Sequence, residues 1–185
     1  MFRKFLIAAA VASVALPGAA SAQTVDMPSA TTILRQLEAS PRLRVAPQNR
    51  VTVDEFKRRP ELRRGAPSID IQSINFAFGS AAIPQSQYRK VEAIADAMHE
   101  MLRRRPGSRF LIEGHTDAVG SDHSNLVLSE SRAASLRNAL VREFRVPARA
   151  LETVGYGERY LLVTTQYENW QNRRVTLRRV DDFLR

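Results

Sequence analysis

The chain has 185 residues, with 28 Lys and Arg against 19 Asp and Glu, a formal charge of +9 and no cysteine. Disulfides, thiolate metal sites and thiol nucleophiles are therefore excluded, and so is a lipoprotein anchor, which needs a cysteine. The length suits one ordinary domain with a tail or linker beside it, and the positive surplus favours an anionic partner.

In chain order, Arg3 and Lys4 precede an apolar run from Phe5 to Leu16 broken only by Ser13, and Ala20-Ser21-Ala22 supplies the small residues that a signal peptidase reads. Residues 1–22 are read as a secretory signal peptide, cleaved before Gln23. The run of 12 falls short of the ~20 apolar residues that span a bilayer, and no later run approaches that length, so no integral membrane span is expected. Loss of Arg3 and Lys4 lowers the charge from +9 to +7. The expected location is the periplasm, associated with the cell wall or outer membrane. There nucleic acid is an improbable partner, and an anionic wall polymer or membrane surface is a natural one.

Residues 23–68 contain Pro28, Pro41, Pro47, Pro60 and Pro67. Apart from one short amphipathic helix around Thr32 to Ala39, this segment is predicted to be an extended, loosely ordered lead-in or linker. Its 46 residues are too few for an outer-membrane barrel of eight ~10-residue strands. It is the candidate contact for an envelope protein partner.

Residues 69–182 show tighter patterning. Ile74, Phe76 and Phe78 alternate as a strand, with Ile69 and Ile71 out of phase across a bulge near Gln72-Ser73. Pro84 opens a helix whose apolar face runs through Val91, Ile94, Met98 and Met101, and Pro106-Gly107 ends it. Phe110-Leu111-Ile112 reads as a central strand, apolar on both faces. A polar loop over 114–122 leads to a second helix bearing Leu136, Leu140 and Phe144. Strands follow at Leu151 to Val154 and at Arg173 to Leu177. The order predicts an α/β (α+β) sandwich in which helices pack on one face of a mixed sheet, with β-α-β-α-β-β order.

Asp117 falls in the loop after the central strand, where such folds place ligands. Arg132 lies four residues before Leu136, at the border of the buried helix face, and Asn125 lies seven residues earlier on the same side. Alternation puts Arg173 on the face of Val175 and Leu177, while Arg174 points away. An inward arginine needs a carboxylate or a bound anion. Together these groups suit a ligand carrying an ammonium and a carboxylate on one carbon. The alternative is a salt bridge between Asp117 and Arg132 that pins the loop to the helix. A metal site at His115, His123, Asp117 and Asp122 lacks any recognised ligand spacing. Glycoside chemistry would have to use Glu113 and Asp117, although Glu113 reads more simply as a strand residue paired with a basic neighbour. A Ser129–His115 nucleophile pair is equally weak.

The run Gly114-His115-Thr116-Asp117, followed by Gly120, Asn125, Leu128-Ser129, Arg132-Ala133 and Asn172-Arg173-Arg174-Val175, resembles the OmpA-like peptidoglycan-binding domain family over about residues 70–180. The resemblance implies a non-catalytic, cofactor-free module. In it Asp117 and Arg132 would hold the diaminopimelate of the peptidoglycan stem, with Arg173 and Asn125 completing the pocket. Two departures stand out: Gly79 replaces the usual Asp or Asn, and Gln166 to Gln171 replaces a proline-bearing loop. Within the latter, Trp170 is expected to cover the core.

Overall fold

The computed structural model of the chain describes residues 26–72, 74, 76 and 80–185. The predicted signal peptide, its cleavage point and Gly79 lie outside these residues, as does most of the strand predicted over 74–78.

Four strands form one mixed sheet: β1 (Ser68–Ile71), β2 (Phe110–Gly114), β3 (Leu151–Gly155) and β4 (Val175–Arg179), in the order β1-β4-β2-β3. β4 runs antiparallel to both neighbours, whereas β2 and β3 are parallel. The apolar β2 is interior and buried along its whole length, as its sequence requires. The first strand lies earlier than predicted. Ile69 and Ile71 pair with Leu177 and Val175 and point into the core, leaving Asp70 on the far side beside Thr176. Ile74 and Phe76 still serve the core from outside any strand, the first buried and the second packed against it.

Helices α1 (Ala30–Glu38), α4 (Tyr88–Arg104) and α5 (Asp122–Arg142) cover one face of the sheet. Ile33 and Leu37 of α1, Ile94 and Met98 of α4, and Leu136 and Leu140 of α5 interdigitate there with Phe110, Ile112 and Leu177. This is the predicted helical layer, with α1 added to it.

The lead-in is not loosely ordered beyond α1. Its second half forms α2 (Val53–Arg58) and α3 (Pro60–Gly65), which close the lower part of the opposite face. Thr52 and Glu55 make a reciprocal capping box at α2, and Pro60 occupies the first turn of α3, so two local signals offset the breaking effect of the prolines. Phe56 and Leu62 bury against Leu111, Val180 and Phe183. Arg179, 2% exposed, donates to the carbonyls of Leu37 and Ala39 and so satisfies the end of α1. The upper part of that second face is polar rather than apolar: Glu113 accepts forked hydrogen bonds from both Arg63 of α3 and Arg178 of β4.

Candidate functional site

The loop between β2 and α5 is fixed by close backbone approach. A Cβ on Gly114 would fall 2.1 Å from the Ser129 carbonyl oxygen, so only glycine lets α5 cross the end of β2 at this distance. Gly120 has φ +109, a conformation that glycine alone adopts without strain. Ser121 then caps α5, accepting from the Ser124 amide. Thr116 N donates to Gly157 O and His115 N to Arg174 O, so the loop is stitched to the segments after β3 and before β4.

Asp117 is thereby held nearly buried at the end of the central strand. Its Oδ2 accepts from Arg173 Nη1 at 2.7 Å, and the same nitrogen donates to Glu168 Oε1 at 2.6 Å. Arg173 precedes β4 instead of beginning it, and its side chain reaches up to Asp117 with 38% of its surface exposed. Arg174, predicted to point away, is buried on the opposite face, where it donates to Asp70, Asn172 O and Tyr160 O. That face is covered, so both arginines find partners.

Arg132 projects from α5 at 9% exposure. Its Nε donates to Ser80 O at 3.3 Å, and its guanidinium lies 5.0 Å from the centroid of the Phe76 ring. Among the described residues no carboxylate pairs with it, so the Asp117–Arg132 bridge offered as the alternative reading is not what holds the loop. Burial lowers the Arg132 pKa, repulsion from Arg173 lowers it further, and attraction to Asp117 opposes both. Asp117, Arg132 and Arg173 therefore lie within electrostatic reach of one another, two guanidiniums about one sheltered carboxylate.

Asn125 is brought to the same place but uses its amide on the protein. Its Nδ2 donates to Asp117 O at 3.3 Å, Val119 O at 3.2 Å and Glu158 Oε2 at 2.6 Å. It braces the loop that carries Asp117. Glu168 was not identifiable from the sequence, because no linear spacing relates it to Asp117; only the arginine between them does. Trp170, expected to cover the core, is 40% exposed on the same loop.

The groups of the rival chemistries do not converge. His115 is buried and stacked on Tyr156 with 5.8 Å between ring centroids, while His123 sits exposed at the start of α5. Ser129 Oγ donates to Leu126 O and accepts from the Gly157 amide, and Glu113 is enclosed by its two arginines.

His115 predicts a pH dependence. Neither ring nitrogen has a hydrogen-bond partner among the described residues, and Nε2 is 3.8 Å from Glu113 Oε2, beyond hydrogen-bonding distance. Burial pushes its pKa below the ordinary 6.5; Glu113 opposes this, while Arg174 and Arg63 reinforce it. The unfolded chain therefore takes up a proton that the folded chain resists, and stability present above pH 6.5 is lost as the pH falls below it. A melting temperature that declines from about pH 7 to 5, with a shallower decline for His115→Phe, is the expected result; equal slopes would remove His115 as the cause.

Residues 75–175, more than half of the chain, match the model of the OmpA family. Outer membrane porin F of Pseudomonas aeruginosa is 36% identical over 85 residues, covering 46% of this chain and 23% of the porin. The peptidoglycan-associated lipoprotein of Pseudomonas putida is 43% identical over 75 residues, covering 40% of this chain and 45% of the lipoprotein. The chain spans less than half the length of these curated relatives. Among solved structures, a putative MotB-like protein from Desulfovibrio vulgaris superposes with a TM-score of 0.51 at 22% identity, covering 63% of this chain and 74% of that one, a likeness of fold.

Proposed function

The chain belongs to the OmpA family, and from that premise we propose that it is a non-catalytic periplasmic module that binds peptidoglycan through the diaminopimelate of the stem peptide, helping to organise the cell envelope. The observation that carries this reading is the charge cluster beyond β2, where buried Asp117 is bonded to Arg173 and lies within electrostatic reach of Arg132. Diaminopimelate ends in one carbon bearing an ammonium and a carboxylate. Asp117 accepts from the ammonium. Arg132, which no carboxylate occupies among the described residues, takes the ligand carboxylate in a forked pair, and Arg173 adds a second positive charge beside it. Asn125 holds the loop carbonyls in place behind them. The arrangement binds and orients; it offers no acid–base pair across a scissile bond.

An adaptor role through residues 23–68 loses its main support, since Ile33, Leu37, Phe56 and Leu62 of that segment are buried in the protein's own cores.

Co-sedimentation of the purified chain with isolated sacculi tests the reading. The chain is expected to pellet saturably, less so at high salt, because the ligand is polar and the surplus charge attracts it over a screened distance. Soluble chain at all sacculus concentrations would overturn wall binding, and release of soluble wall fragments would restore the enzymatic alternative.

A further inference from the structure

On the opposite side of the sheet from α4 and α5, a cavity of about 530 Å³ opens between α3, the strands β1, β2 and β4, and the segment 158–164. Five arginines line it: Arg63, Arg64, Arg159, Arg174 and Arg178. We propose that this cavity is a second binding site, taking a phosphate monoester or diester, and that it is independent of the Asp117 site.

The argument begins with charge. Three carboxylates also line the cavity: Asp70, Glu113 and Glu158. Glu113 lies between Arg63 and Arg178, both more than nine-tenths buried, so this triad keeps one positive charge uncompensated in a sheltered position. Asp70 is matched by Arg174. Glu158 turns to the Asn125 amide at 2.6 Å. Arg64 and Arg159 are exposed at the mouth and, among the described residues, meet no carboxylate. With the charge of Glu158 counted, since its amide partner is neutral, the five arginines exceed the three carboxylates by two, and Arg64 and Arg159 stand free over the buried triad.

The lining also indicates which anion fits. A carboxylate presents two oxygens in one plane, which Glu113 uses up on two guanidiniums, whereas a phosphate presents its oxygens tetrahedrally and, as a monoester, has three of them for guanidiniums approaching from different sides. Arg63 is locked in place by stacking 3.8 Å from the Tyr156 ring centroid and 4.2 Å from that of Tyr160, so one side of the site is rigid before any ligand arrives. Pro60, Leu161 and Leu162 supply apolar wall, which suits the carbon skeleton of an ester better than free inorganic phosphate. The volume lies within the range of small-molecule sites. A phospholipid headgroup and a soluble phosphate ester share this chemistry.

Calorimetric titration of the purified chain with glycerol 3-phosphate reads it out. The site predicts saturable binding with Kd of about 1 mM or tighter, and Arg64→Ala/Arg159→Ala should weaken it about tenfold or more. Both side chains are exposed, so the fold should survive; if the pair does not fold, Arg64→Gln and Arg159→Gln singly are each expected to weaken binding in part. Arg132→Ala, on α5 at the other face of the sheet, should leave the titration unchanged. Pelleting with phosphatidylglycerol vesicles but not phosphatidylcholine vesicles, lost in the double variant, would assign the headgroup. Glycerol 3-phosphate binding without pelleting would assign a soluble ester. No saturable binding, a double variant that binds like the unaltered chain, or loss of binding in Arg132→Ala would each overturn the proposal.

Discussion

Glu113→Ala is expected to destabilise the protein by ~3–5 kcal/mol, the range for removing one member of a buried ion-pair network. Glu113 is wholly inaccessible. Arg63 Nε and Nη2 each donate to its carboxylate at 3.0 Å, and Arg178 Nε and Nη2 donate at 2.8 and 3.1 Å. Truncation would leave two guanidiniums facing each other in a desolvated layer with no negative charge between them. The effect reaches beyond the pair, since Arg178 also donates to the carbonyls of Arg63 and Ala66, and Arg63 stacks on Tyr156 and Tyr160. The network therefore fastens α3 to the sheet. Burial opposes ionisation of Glu113, but the facing His115 ring together with Arg178 and Arg63 outweighs it and holds the carboxyl well below the ordinary 4.5. Its contribution is present above pH 4.5 and is lost as the pH falls through that lowered value. Urea unfolding at neutral pH measures the loss; a change below about 1 kcal/mol would mean that the triad is a passenger.

Arg132→Ala is expected to have the reverse profile, with a large loss of wall binding and little loss of stability. Among the described residues the guanidinium makes one hydrogen bond at 3.3 Å, lies 5.0 Å from the Phe76 ring centroid and pairs with no carboxylate, so the fold depends on it far less than on Glu113. If it holds the ligand carboxylate, its removal costs ~2–5 kcal/mol of binding, more than a tenfold loss. Asp117→Ala should reduce binding similarly while also freeing Arg173 to pair fully with Glu168. Asn125 separates shape from contact: its amide bridges three protein oxygens, so Asn125→Ala should loosen the 117–119 loop and lower stability as well as binding. Equal binding by Arg132→Ala and the unaltered chain would remove that residue from the pocket.

Much of this architecture is legible from local pattern. The doubly apolar Phe110-Leu111-Ile112, the helix bounded by Pro84 and Pro106-Gly107, and the buried positions Asn125, Arg132, Leu136 and Leu140 follow from periodicity that tertiary packing respects. The lead-in is less legible, because its five prolines act as helix breakers. Yet Thr52 and Glu55 carry the capping-box spacing, and Pro60 stands where a helix begins, so two signals for α2 and α3 were present. The displaced first strand has a different cause. Ile69-Asp70-Ile71 and Ile74-Asn75-Phe76 alternate equally well, and only pairing with Val175 and Leu177 selects the first. Arg173 shows where strand parity fails: it lies two residues short of the ladder, so its direction is set by Asp117 and Glu168 rather than by the pleat. Long-range charge pairs such as Arg63 with Glu113, 50 residues apart, leave no sequence signature at all.

The most direct measurement compares two soluble stem tripeptides, one carrying diaminopimelate and the other lysine at the same position, by titration against the purified chain. Lysine keeps the terminal ammonium that Asp117 accepts and lacks the carboxylate assigned to Arg132 and Arg173. The account predicts binding to the diaminopimelate peptide that is about tenfold or more tighter, with that advantage abolished in Arg132→Ala; equal affinity for the two peptides would contradict it.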